Sequence, residues 1–204
     1  MKYAIQLSYK GTEFHGWQIQ DNALTVQEEL NRALSRILGH DVESQGSGRT
    51  DTGVHAKEQF AMFNSDIKLT SLRHLKSINA VLPDDIAVYG LYRISENANL
   101  RFDAISRTYE YRICNRKDPF EKDFSAFLNL NLDLDIMNKG ADFLLTQKDF
   151  KSFAKSGSKQ RTSICELKEA RWEQQGHILK FTIRANRFLR NMVRAITGTL
   201  IELG

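Results

Sequence analysis

Asp51 stands in the stretch SGRTDTGVHA, Ser47 to Ala56, which matches neither a helix face nor a buried strand. Gly46, Gly48 and Gly53 open backbone conformations closed to other residues, and Thr50 and Thr52 can hydrogen-bond locally. A loop of this kind can hold one carboxylate in a fixed direction. Arg49 beside it would keep that carboxylate ionised through its charge. The readings stay open: a carboxylate held in a fixed orientation, a hairpin turn with a surface aspartate, or an Asx-turn that caps something. Neither GxxxxGK[ST] nor GxGxxG occurs here, so the glycines do not announce a nucleotide-phosphate loop.

A second candidate is Tyr109 in ISRTYEYRI. Strand alternation places Tyr109, Tyr111 and Ile113 on one face. An aromatic ring beside Arg107 can stack on a base, or it can be a core tyrosine whose hydroxyl reaches the surface. A third is the arginine series. RANRFLRNMVR, from Arg184 to Arg194, carries four arginines and no acid. Arg187, Arg190 and Arg194 are spaced three and four apart, which predicts one shared helical face. Cations so crowded call for a polyanion, and a phosphate backbone is the natural one; the bland reading is a solvated basic face. The loop KSGSKQRTS adds Lys155, Lys159 and Arg161 as a mobile nucleic-acid contact, or is an ordinary flexible loop.

The histidines (His15, His40, His55, His74 and His177) show no ligand spacing, and the 2 cysteines, Cys114 and Cys165, form no CxxC. No metal site is expected, and the cysteine usage suits a reducing compartment. In GTEFHGWQIQ, Trp17 is either core or contact.

These residues need a scaffold. The 204 residues, 41% hydrophobic and 26% charged with net charge +4, are those of an ordinary globular chain, mildly basic. The N-terminus, MKYAIQLSYK, has no apolar h-region and no segment has the length of a membrane span, so a cytoplasmic protein is expected. KYAIQLSY alternates as a strand. TVQEELNRALSRIL opens on a T-x-x-E capping box, Thr25 and Glu28, and continues as an apolar helical stripe. EQFAMFNS is a strand, SLRHLKSINAVL a helix stopped by Pro83, and DIAVYGLYRI a strand with Ile86, Val88 and Gly90 on one face. RTYEYRICN is a strand, DIMNKGADFLL a helix, and TSICELKEARWEQ and HILKFTIRA a pair of strands joined at a Gln-Gln-Gly turn. RFLRNMVRAITGTLIEL closes as a helix with Gly204 as its cap. Two halves of similar order, 1–100 and 101–204 with a boundary in polar ENANLRFDA, predict a duplicated α+β architecture.

With the pieces assembled, the chain resembles the tRNA pseudouridine synthase A family. GTEFHGWQIQ resembles the family's G-T-x-F-x-G-W-Q-x-Q, TVQEELNRAL its first helix, and GRTDTGVHA its G-R-T-D-[AT]-G-V-H-A. INAVLPDDI, FDAISRTYEYRI, DFKSFA and NRFLRNMVRAITGTLIELG match its later motifs. The resemblance implies a pseudouridine synthase fold: two related α/β halves sharing a mixed, largely antiparallel sheet with a central active-site cleft. It implies isomerisation of uridine to pseudouridine at positions 38–40 of the tRNA anticodon stem-loop, without metal or other cofactor, by a homodimer. Residue by residue it makes Asp51 the nucleophile, Tyr109 the residue lining the uracil pocket, Arg194 the partner of the nucleophile and Arg49 an aid to base flipping. It also implies a further helix and a G-L-x-L strand beyond Gly204, so a truncated second half is expected. The alternative is a non-catalytic RNA-binding module on the same scaffold. A glycosidase-like enzyme ranks last, because it needs a second carboxylate and Glu58 is poorly placed on a strand.

Overall fold

The computed structural model describes residues 1–157 and 161–204. Lys159, one of the cations named above, lies outside the described residues. The chain divides into two compact units, Met1–Ala104 and Ile105–Gly204.

In the first unit β1 (Lys2–Tyr9) leads to α1 (Val26–Leu38), then β2 (Gln45–Gly46), β3 (Ala56–Asn64), α2 (Ser71–Asn79), β4 (Ile86–Arg93) and the one-turn α3 (Leu100–Asp103). The strands order as β2-β3-β1-β4, all antiparallel. Tyr3, Ile5, Leu7 and Tyr9 alternate into the core, where Val26, Leu30, Ala33 and Leu34 of α1 meet them. Thr25 caps α1 as its T-x-x-E pattern predicts, its hydroxyl accepting from the Glu28 N–H at 3.4 Å. Gly39 ends the helix in the left-handed region, φ 74°.

Two details depart from the sequence reading. The helix expected to run to Leu82 ends at Asn79, whose side-chain amide bonds both the N–H and the C=O of Val88 in β4, at 2.9 and 2.8 Å. Gly90 leaves the face of Ile86 and Val88. A register shift in the β1–β4 ladder pairs Gly90 with Gln6 and turns Leu91 into the core beside Ile5.

The second unit runs β5 (Arg107–Cys114), β6 (Ala126–Phe127), α4 (Leu134–Leu145), a 3₁₀ turn (Lys151–Phe153), β7 (Leu167–Gln175), β8 (Ile178–Ala185) and α5 (Met192–Leu203). Its sheet orders as β6-β5-β8-β7, antiparallel except for the short β5–β6 pair. Gly176, φ 63°, makes the β7–β8 turn. Asn138 on α4 bonds both backbone groups of Trp172 in β7, at 2.9 and 3.1 Å.

The fold is α+β, as expected. Each unit carries a four-stranded sheet, mixed in the second and antiparallel in the first. The first unit is a βαββαβ arrangement with strand order β4-β1-β3-β2. The first five of those elements recur in the second unit as β5, α4, β7, β8 and α5, with β5-β8-β7 adjacent in the same order. Asn31 on α1, holding the Ser44 N–H at 2.9 Å beside β2, is the counterpart of Asn138.

Candidate active site

The Asp51 loop is held from behind. Trp17 N–H donates to Thr50 C=O at 3.1 Å, and Gly53 N–H donates to Phe14 C=O at 3.1 Å. These two bonds bracket Asp51. Gly11 N–H donates to His55 Nδ1 at 3.0 Å, and Tyr9 Oη and Thr50 Oγ1 share a hydrogen bond at 2.8 Å. The two segments approach backbone to backbone: a methyl group on Gly16 would lie 2.4 Å from Thr50 O, and one on Gly11 2.1 Å from Val54 O. Gly16, at φ 89°, is also in the left-handed region. Trp17 settles as core, 1% exposed, its indole against Gly46. This clasp is what sequence reasoning missed. Its signal was the pair of glycines in GTEFHGWQ, whose purpose shows only once the facing loop is in place.

Asp51 is exposed at the tip of this support. Among the described residues of its own unit, its carboxylate has no hydrogen-bond or ion-pair partner. Arg49, two residues before it, forms no ion pair with it. Thr50 between them is held by Trp17 and Tyr9, and Arg49 lines a crevice of about 390 Å³ with Trp17, Gln18, Gln45, Gly46 and Arg101. Arg101 is a second functional candidate that the sequence did not single out.

Tyr109 and the remaining cations belong to the second unit. Tyr109 is half-buried on β5, opposite Ile183, and its ring meets Phe188 edge-on at 5.1 Å. Tyr111 pairs with Phe181 on the same face, so the predicted alternation holds. The predicted helical face of arginines does not. The helix begins only at Met192, after Asn191 in the left-handed region at φ 67°. Arg187 and Arg190 therefore lie on the connection between β8 and α5. Arg194 alone is helical, exposed in the first turn of α5. A cation there opposes the helix macrodipole, so helix stability does not explain it.

Lys155 N–H donates to Arg190 C=O at 2.9 Å, tying the loop after the 3₁₀ turn to the arginine connection. Arg161 is exposed on a bend farther along that loop. Arg184 is matched with Glu169 on the neighbouring strand at 3.7 Å, so one of the four arginines has an acid that only the ladder reveals. Burial pushes the Cys165 thiol up, against the pull of the Arg187 charge, and leaves it a neutral core residue. No group of three or more potential ligands that could hold a metal ion occurs among the described residues.

A family model described as tRNA pseudouridine synthase matches residues 143–204. The chain is 45% identical to tRNA pseudouridine synthase A of Parabacteroides distasonis, over 100% of this chain and 81% of that protein. It is 45% identical to the protein of the same name in Bacteroides thetaiotaomicron, over 100% and 77%. It is 37% identical to that of Francisella tularensis subsp. novicida, over 99% and 79%. The chain belongs to the tRNA pseudouridine synthase A family.

Proposed function

We propose that this chain is an isomerase converting uridine to pseudouridine at positions 38–40 of the tRNA anticodon stem-loop, working as a cytoplasmic homodimer. The observation that carries this reading is the 45% identity along the whole chain to tRNA pseudouridine synthase A. An exposed carboxylate on a loop pinned from behind supports it, because a nucleophile needs a fixed direction and open access to an extruded base. No described helix is long and apolar enough to cross a membrane.

In this reading Asp51 attacks ribose C1′ or uracil C6, forming a covalent adduct. The N1–C1′ bond breaks, the uracil turns, and a C5–C1′ bond forms. The C5 proton leaves and N1 gains one, so substrate and product are isomers. Tyr109 lines the uracil and takes part in proton transfer at C5. Arg194 is the partner of the nucleophile, and Arg49 assists extrusion of the base. Arg187, Arg190, Lys155, Lys159 and Arg161 meet phosphates.

The test is tritium release from a tRNA transcript carrying 5-tritiated uridine. The wild-type chain releases tritium and forms pseudouridine; Asp51→Asn releases none while its Tm and tRNA affinity stay near wild type. Release by Asp51→Asn removes the assigned nucleophile. Salt-dependent tRNA binding by the wild type with no product would favour the non-catalytic RNA-binding module.

A further inference from the structure

We infer that Tyr9 is a positioning residue for the nucleophile, acting through Thr50. This rests on the reading of Asp51 as the reacting group. Tyr9 is 4% exposed at the end of β1. Its ring lies 6.1 Å from that of Trp17, tilted by 41°. Its backbone is locked on both sides, opposite Ala56 of β3 and Ile86 of β4. The phenol oxygen is therefore a fixed point of the core. It lies 2.8 Å from Thr50 Oγ1, and Thr50 is the residue immediately before Asp51.

Thr50 is thus held twice, through its carbonyl by Trp17 N–H and through its hydroxyl by Tyr9. The carbonyl bond fixes where the chain passes. It leaves rotation of the flanking peptides about that point. A second bond, from a rigid ring to the Thr50 side chain, removes that rotation and so sets the direction of the next Cα–Cβ bond, that of Asp51. The Gly53 N–H to Phe14 C=O bond closes the loop on its other side. A nucleophile in an extended loop has no helix or strand to aim it; here the aim comes from one phenol hydroxyl on the central strand. Misplacement of a reacting group by about 1 Å can cost roughly 100-fold in rate, so such a bond acts on kcat and not on substrate affinity.

The conservative variant Tyr9→Phe removes only the hydroxyl and keeps the packed ring. With a tRNA transcript, kcat is expected to fall roughly 10- to 100-fold, with KM within about 2-fold of wild type and Tm nearly unchanged. Thr50→Val is expected to match it, Thr50→Ser to keep near wild-type kcat, and the double variant Tyr9→Phe/Thr50→Val to be no slower than the worse single, because both remove one interaction. Amide exchange at Gly53 should rise in Tyr9→Phe, a readout that does not depend on catalysis. Wild-type kcat in Tyr9→Phe, or unchanged Gly53 exchange, overturns the inference. So does a Thr50→Ser variant as impaired as Thr50→Val, a comparison that also decides the matter if Tyr9→Phe fails to fold. A wild-type chain without activity counts against the proposed function instead, and exchange at Gly53 still tests the positioning.

Discussion

Gly16 carries more of the site than its size suggests. Its φ of 89° strains any side chain, and an added methyl would strike the Thr50 carbonyl at 2.4 Å. Gly39, at φ 74°, has nothing within 4 Å of the same added atom. The two glycines separate backbone strain from steric displacement of the loop. Gly39→Ala should cost about 1 kcal/mol in urea unfolding and leave kcat alone. Gly16→Ala should cost more, on the order of 1–3 kcal/mol, and lower kcat as well, since Asp51 is next to the displaced carbonyl. Equal kcat for the two variants would mean that the clasp does not aim Asp51. The composition of SGRTDTGVHA pointed to this aspartate, because small residues and one carboxylate leave little else for the stretch to do. The clasp could not be read there. The bonds that bracket Asp51 come from main-chain groups of Phe14 and Trp17, and nothing in a side-chain pattern marks a backbone contact so distant in sequence.

Secondary structure was legible where its cause is local. The Thr25 cap acts within its own turn, and the alternation of β1 repeats over its whole length. The start of α5 was not legible. Spacings of three and four among Arg187, Arg190 and Arg194 imitate a helix, but burial of Leu189 and the left-handed turn at Asn191 decide where the helix begins. In the second unit a hydrogen bond ties the β7–β8 turn to the connection between β5 and β6. His177 Nε2 meets Asp118 Oδ2 at 2.9 Å, while the Phe120 N–H donates to Asp118 Oδ1 at 2.9 Å. The Phe120 N–H first, and His177 after it, hold the Asp118 carboxyl below its ordinary 3.8. Asp149 is lowered likewise, by the Ser163 hydroxyl first and the Lys151 N–H second. A carboxyl lowered in the folded state favours folding above the unfolded value and loses that contribution as pH falls through the folded one. Stability should therefore drop below about pH 4, and Asp118→Asn should flatten part of that acid limb in urea melts. An acid limb identical to wild type would show that the pair does not contribute.

The whole molecule carries net charge +4, too little to bind RNA by bulk charge. The cations matter through where the second unit gathers them: Arg187 and Arg190 on one connection, with Lys155 bonded to it. If they meet phosphates, log Kd for tRNA should vary linearly with log salt. The triple variant Lys155→Ala/Arg187→Ala/Arg190→Ala should then reduce that slope by about 0.7–0.9 per lost contact. An unchanged slope would place the RNA elsewhere. The duplicated order of elements was visible as rhythm along the chain. That both sheets lay their strands in the same spatial order, β1-β3-β2 and β5-β8-β7, was not, because strand order is a property of pairing, and pairing partners are chosen across the whole unit.

The contacts that aim Asp51 join distant parts of the chain, Tyr9 to Thr50 across 41 positions and Gly11 to His55 across 44. All of α1 lies between their ends. Closing such a span costs chain entropy that the clasp alone cannot offset; the sheet must form around it. A nascent chain that has emerged only as far as α1 has the glycines but nothing for them to grip. Asp51 thus acquires its direction only when β1 and β3 zip together, and an unfinished copy presents no aimed carboxylate to any RNA it meets.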